Sequence, residues 1–164
     1  MRKPVLVLAA LAVVAAAGLV FFQFTGGPQA KAGECVTLTN ASGNGAEVAS
    51  TGCGADNARF KVGTVLSDAG GSCPAGDDEY IQVVPRSGGK LCLLPNLVEG
   101  ACYRPADNDD SWGRSDCAGE ETVKVTEVIA VADGECPDGD DLVSIVYAEP
   151  PTTYCLSPVH RVPA

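Results

Sequence analysis

Cys136-Pro137-Asp138-Gly139-Asp140-Asp141 repeats, with one replacement, a stretch already written as Cys73-Pro74-Ala75-Gly76-Asp77-Asp78. Each copy runs on, at the same spacing, to a Cys-Leu pair: Cys92-Leu93 in the first and Cys155-Leu156 in the second. Sliding the sequence along itself by 63 positions lays residues 60–96 on 123–159 without a gap. Lys61/Lys124, Val62/Val125, Val65/Val128, Gly71/Gly134, Val83/Val146 and Pro95/Pro158 then coincide as well. Self-similarity of this kind marks a tandem duplication, and it constrains the architecture before any strand is placed.

The first part of each copy reads as a β-hairpin. Residue 44, midway between Cys35 and Cys53, lies in Ser42-Gly43-Asn44-Gly45, whose Asn-Gly supplies the positive φ angles of a tight turn. Val36-Thr37-Leu38-Thr39 and Glu47-Val48-Ala49-Ser50 flank it with residues that suit strands. Cys102 and Cys117 are likewise centred on Asp107-Asn108-Asp109-Asp110-Ser111, again turn-forming. Cysteines equidistant from a turn are expected opposite one another on paired strands.

Phe60-Lys61-Val62 and Val123-Lys124-Val125 alternate as strands do, then slip out of phase at Val65-Leu66 and Val128-Ile129. A bulge near Thr64 and Glu127 accounts for the slip in both copies. The Cys-Pro-x-Gly-Asp-Asp element follows as a loop with at most one helical turn. Tyr80 to Val84 and Leu142 to Tyr147 are expected as strands, returning through Leu91 to Leu94 and Thr153 to Leu156. Each copy thus holds about five short strands, and Pro95 to Gly100 joins them.

Eight cysteines at repeating spacings read as a disulfide framework in an oxidising compartment. Thiolate metal sites want CxxC pairs or Cys and His close together. Here no two cysteines are closer than Cys92 and Cys102, and His160 is the only histidine. Local assignment gives Cys35–Cys53, Cys73–Cys92, Cys102–Cys117 and Cys136–Cys155 as the simplest pairing, although four cysteines allow three connectivities in each copy. With only nine aromatic residues the core is thin. Each crosslink contributes on the order of 3 kcal/mol by restricting the unfolded chain.

Val5 to Phe22 is an unbroken run of apolar residues and glycine behind Met1-Arg2-Lys3-Pro4. With Gln23 and Phe24 it approaches the roughly 20 residues a membrane-spanning helix needs, beyond the about 7 to 15 of a secretory signal core. Positive charge before the run places the N-terminus in the cytoplasm and the rest of the chain outside. Ala30-Lys31-Ala32 is an A-x-A tripeptide of the kind signal peptidase accepts, so release by cleavage after Ala32 is the alternative. A lipoprotein signal needs a cysteine just after the apolar core, and none precedes Cys35.

The net charge of −10 argues against nucleic acid and anionic lipid headgroups as partners, since both recruit clustered Lys and Arg. Asp138, Asp140 and Asp141 are calcium candidates, as are Asp77-Asp78-Glu79, because hard cations take several carboxylate oxygens. Turn formation explains the same residues without a metal. The Asp107 loop departs from an EF-hand in carrying Trp112 where glycine is required and Ala118 where glutamate closes the site. His160, in a tail with Pro158, Arg161 and Pro163, offers no catalytic base beside a nucleophile, and short repeats leave little room for a deep carboxylate-lined cleft. Trp112 and Arg114, with Tyr103 near, are the candidate contact residues, because exposed Trp and Arg anchor interfaces; the alternative for Trp112 is folding back over the small core.

Gly33-Glu34-Cys35-Val36, Cys53-Gly54, Phe60-Lys61-Val62, Cys73-Pro74, Cys92-Leu93, Val98-Glu99-Gly100-Ala101-Cys102, Asp116-Cys117 and Tyr154-Cys155 together form a framework. It resembles the exported domain of the LppU-type lipoprotein family of actinobacteria over residues 33–157. The first half is more loosely similar to extracellular domains associated with septum formation in the same bacteria. The chain departs from the lipoproteins in lacking the lipidation cysteine. The resemblance implies an envelope protein with no catalytic residues to carry over.

The expectation is therefore a mainly β protein: two tandem pseudo-symmetric, disulfide-stapled repeats of about five strands each, behind one N-terminal transmembrane helix. Its parts are a cytoplasmic tip at 1–4, a signal-anchor helix at 5–24, a tether at 25–33, and repeats at 34–97 and 98–164. The expected function is a non-enzymatic binding or scaffolding role in the cell envelope. No cofactor is required, and the partner is an envelope protein or cell-wall component. A small secreted enzyme or inhibitor is the alternative.

Overall fold

The computed structural model describes residues 30–39, 45–74, 80–106, 112–139 and 141–159. The expected span at 5–24, the tip before it, Asp77 to Glu79, the Asp107 loop, Asp140 and His160 lie outside these residues. Among the described residues no helix is long and apolar enough to cross a membrane. The described chain is mainly β, in two five-stranded antiparallel sheets.

The first repeat supplies β1 (Cys35–Thr39), β2 (Glu47–Thr51), β3 (Phe60–Leu66), β4 (Ile81–Val83) and β5 (Lys90–Pro95). The second supplies β6 (Cys102–Pro105), β7 (Trp112–Ser115), β8 (Val123–Ile129), β9 (Val143–Tyr147) and β10 (Thr152–Pro158). Strand order is β2-β1-β3-β5-β4 in one sheet and β7-β6-β8-β10-β9 in the other, so the topology is the same in both. All four disulfides form within a repeat: Cys35–Cys53, Cys73–Cys92, Cys102–Cys117 and Cys136–Cys155.

Two details differ from expectation, and the expected bulge is placed to the residue. The hairpin cysteines are not opposite each other, because Cys35 faces Thr51 and Cys102 faces Ser115. Cys53 and Cys117 each lie two residues past that partner, and the crosslink spans Cα atoms 5.0 Å apart beyond the strand end. The bulge lies near Thr64 and Glu127 as expected. Val62 faces Leu93 and Thr64 faces Cys92, so Gly63 is the extra residue; Thr126 is its counterpart between Val125 and Glu127. The gapless alignment also fails at the edge strands. It lays Val83 on Val146, yet Val83 faces Leu91 while Ile145 faces Tyr154, the residue equivalent to Leu91. A one-residue slip exchanges the two faces of a strand, so β9 presents different side chains inward than alignment predicts.

Residues 30–33, placed in the tether by the sequence reading, lie against β3. Gly33 N donates to Val62 O at 2.7 Å and Val62 N to Glu34 O at 2.8 Å. Gly100 N to Val125 O at 2.8 Å and Val125 N to Ala101 O at 2.9 Å repeat this pair of bonds. Gly33 and Gly100 both have positive φ, 86° and 80°, which glycine adopts without a Cβ penalty. The repeating unit therefore starts with Ala30 in one copy and Leu97 in the other, each buried in a core.

The first sheet closes on itself. Ala46 and Pro85 bridge the outer strands, with Ala46 N donating to Val84 O at 3.1 Å and Arg86 N to Ala46 O at 3.2 Å. Inside are Ala30, Val36, Ala46, Phe60, Val62, Val83, Leu91 and Leu93. Successive strand side chains point to opposite faces, so β5 sends Leu91 and Leu93 into this interior and Cys92 and Leu94 to its outer side. There they join Cys73 and Tyr80 against Leu97, Tyr103, Val125, Tyr147, Tyr154 and Leu156 of the second repeat. Tyr154 and Leu156 are equivalent to Leu91 and Leu93. The inner face of the second repeat thus packs on the outer face of the first, head to tail, and no twofold axis relates the two.

Candidate binding cleft at the repeat junction

All four tyrosines of the chain are buried at this junction. The Tyr80 and Tyr147 rings meet edge to face with centroids 5.2 Å apart, and Tyr147 and Tyr154 at 6.0 Å, a favoured aromatic geometry. Tyr154 Oη donates to Pro95 O at 2.8 Å. Tyr80 Oη accepts from Glu149 N at 2.8 Å and donates to Glu149 O at 3.0 Å, while Thr64 Oγ1 donates to the Glu149 carboxylate at 2.9 Å. Burial, reinforced by neighbouring Tyr147, raises the Tyr154 phenol well above its ordinary pKa. Such a tyrosine is a packing group and hydrogen-bond donor.

At one end of this packed junction a cleft of about 370 Å³ opens between the repeats. Its first wall is the segment after β2, with Cys53, Ala55, Asp56, Ala58 and Arg59; its floor carries Asn96 and Val98; its second wall is the β6–β7 hairpin, with Tyr103, Arg104, Trp112 and Arg114. The floor and first wall are tied together. Asn96 Nδ2 donates to Cys53 O at 2.8 Å and to Ala58 O at 2.9 Å, and Asn96 N to Arg59 O at 2.9 Å. Tyr103 Oη accepts from Val98 N at 3.0 Å, which fixes the floor to the second wall. Cys35–Cys53 and Cys102–Cys117 pin the two walls to their own sheets.

Across the opening, Arg114 and the Asp56 carboxylate meet at 3.2 Å. The Asp56 side chain is 98% exposed, against 40% for Arg114. Three of the chain's six arginines line this one cleft, in a protein of net charge −10. Among the described residues the Arg59 and Arg104 side chains have no ion-pair partner. Trp112 is half-buried, lining the cleft while also packing on the shared core.

The sequence-derived contact residues Trp112 and Arg114 are thus brought together with Tyr103. Asp138 and Asp141 are exposed in the approach to β9, well outside the cleft lining, and the described residues contain no group of three or more potential metal ligands. Arg59, Arg104, Asp56 and Asn96 were not singled out from sequence. A signal exists for Arg59 and Arg104, because they break the repeat, as Arg114 and Trp112 also do. Arg59 stands where the second copy has Thr122, while Arg104, Arg114 and Trp112 stand where the first has Thr37, Ser50 and Val48.

Fold and site define a class: a two-repeat, disulfide-stapled β protein with an arginine- and tryptophan-lined cleft where the repeats meet. Comparison with known proteins finds no matching family model, no matching curated protein and no matching solved structure.

Proposed function

We propose that this chain is an extracytoplasmic protein of the cell envelope, held by an N-terminal membrane anchor, that binds its partner non-catalytically in the junction cleft. The observation that carries the reading is the cleft itself. It gathers arginine and tryptophan, the side chains most enriched at binding hot spots, onto walls fixed by disulfides and backbone hydrogen bonds. Four disulfides and no free cysteine among the described residues fit an oxidising compartment. The likeness of the cysteine framework to LppU-type lipoproteins supports an envelope location. Burial of Ala30 speaks for retention of the N-terminal segment, since cleavage after Ala32 would remove a core residue.

Crosslinking in living cells tests this. A photoreactive side chain at position 112 of the full chain should capture a specific envelope component. The same probe at Glu120, exposed and outside the cleft lining, should not. Equal labelling from both positions would refute the cleft as the binding site. A mature chain beginning at Gly33 and found only in the medium would refute the anchor.

A further inference from the structure

We infer that the junction cleft recognises a carboxylate, carried on a small ligand whose apolar part rests against Trp112. The inference rests on the binding role proposed above and names its chemistry. Guanidinium groups pair with carboxylates through charge-assisted, often bidentate hydrogen bonds, and three arginines line a space of about 370 Å³. That volume falls in the range of small-molecule sites. The structure also shows the interaction in miniature. The Asp56 carboxylate already sits on Arg114 at 3.2 Å, yet its side chain is 98% exposed and supplies one contact. An exposed ion pair of this kind contributes little. A ligand carboxylate that also reaches Arg59 or Arg104, while its body covers the Trp112 ring, displaces Asp56 at small cost. Asp56 then swings into solvent, where it already is for nearly all of its surface.

Two sources carry this group: the free C-terminus of a peptide and an acidic sugar. Trp112 is the only tryptophan in the chain, so its fluorescence reports on the cleft alone. The full-length, disulfide-intact chain in detergent is titrated with N-acetyl-alanyl-alanine and its C-terminal amide, with glucuronate and glucose, and with inorganic phosphate. At least one acid should change the emission saturably where its neutral counterpart does not, and the responding acid identifies the source. Arg114→Gln should weaken that acid about tenfold, the scale of a lost charged hydrogen bond. Asp56→Asn should tighten it severalfold by removing the internal competitor, an effect no merely structural residue produces. An acid and its neutral counterpart acting alike, phosphate binding more tightly than either acid, no saturable response, or an unchanged affinity in Asp56→Asn would each overturn the inference. Failure here with specific crosslinking from position 112 leaves the binding role standing with another ligand; failure of both removes it.

Discussion

Gly63 is small because Glu149 of the other repeat and Tyr80 of its own crowd it. A Cβ built on it would stand 2.5 Å from Glu149 O and 3.0 Å from the Tyr80 ring. Its counterpart in the second copy, Thr126, tolerates a side chain and donates its hydroxyl to Cys155 O at 3.0 Å. Gly63→Ala should therefore cost about 1–3 kcal/mol in urea unfolding, because backbone and a packed ring must both shift. Thr126→Ala loses one hydrogen bond and should cost about 1 kcal/mol. Tyr154 predicts a pH effect. Its folded-state pKa is raised by burial, so the folded protein holds the phenolic proton more tightly than the unfolded chain. The stabilisation is complete below the unfolded phenol's pKa of about 10 and is lost as pH rises above it. Denaturant midpoints should fall above pH about 10. Tyr154→Phe should flatten that decline while losing on the order of 1–3 kcal/mol near neutrality, since Pro95 O then lacks its donor.

Among the elements, the short segment leading into β1 changes standing most. Composition reads Thr25 to Lys31 as a tether, with two glycines and a proline. The signal for a docked segment was nonetheless present, because Gly33-Glu34-Cys35 has a counterpart in Gly100-Ala101-Cys102. Ala30 is only 4% exposed and completes the interior of the first sheet. Ala30→Asp should cost at least about 2 kcal/mol by burying an unpaired carboxylate. Lys31→Ala, at an exposed neighbour, should change stability by less than about 0.5 kcal/mol. Equal effects would show that the segment is not docked. The bulges were legible from the phase slip in both copies, to within a residue. The hairpin disulfides were legible in pairing but not in register, because the crosslink closes beyond the strand ends.

For the whole molecule, the two copies share a topology but not a core. The first sheet closes through Ala46 and Pro85 around its own apolar interior. The second repeat's buried tyrosines, Val125 and Leu156 all lie in the cluster that Tyr80, Cys92 and Leu94 complete. Produced separately and oxidised, residues 25–96 should unfold cooperatively and show dispersed amide resonances. Residues 97–164 should not, although both halves carry two disulfides. A well-dispersed spectrum from the second half alone would contradict the dependence. The same packing builds the cleft, since its walls come from different repeats.

Sequence alone determined the duplication, about five short strands in each copy, the local pairing of cysteines as the simplest choice, and the candidacy of Trp112 and Arg114. The first three follow from spacing and periodicity, which the backbone obeys locally, and the last from residue type alone. Only tertiary structure decided which face each copy turns to the other, and therefore that Arg59 and Asp56 of one repeat meet Arg104, Trp112 and Arg114 of the next. Two copies of a unit can pack symmetrically or head to tail with the same strand pattern. The choice turns on shape at a few contact positions, such as the missing side chain of Gly63, and periodicity carries no record of it.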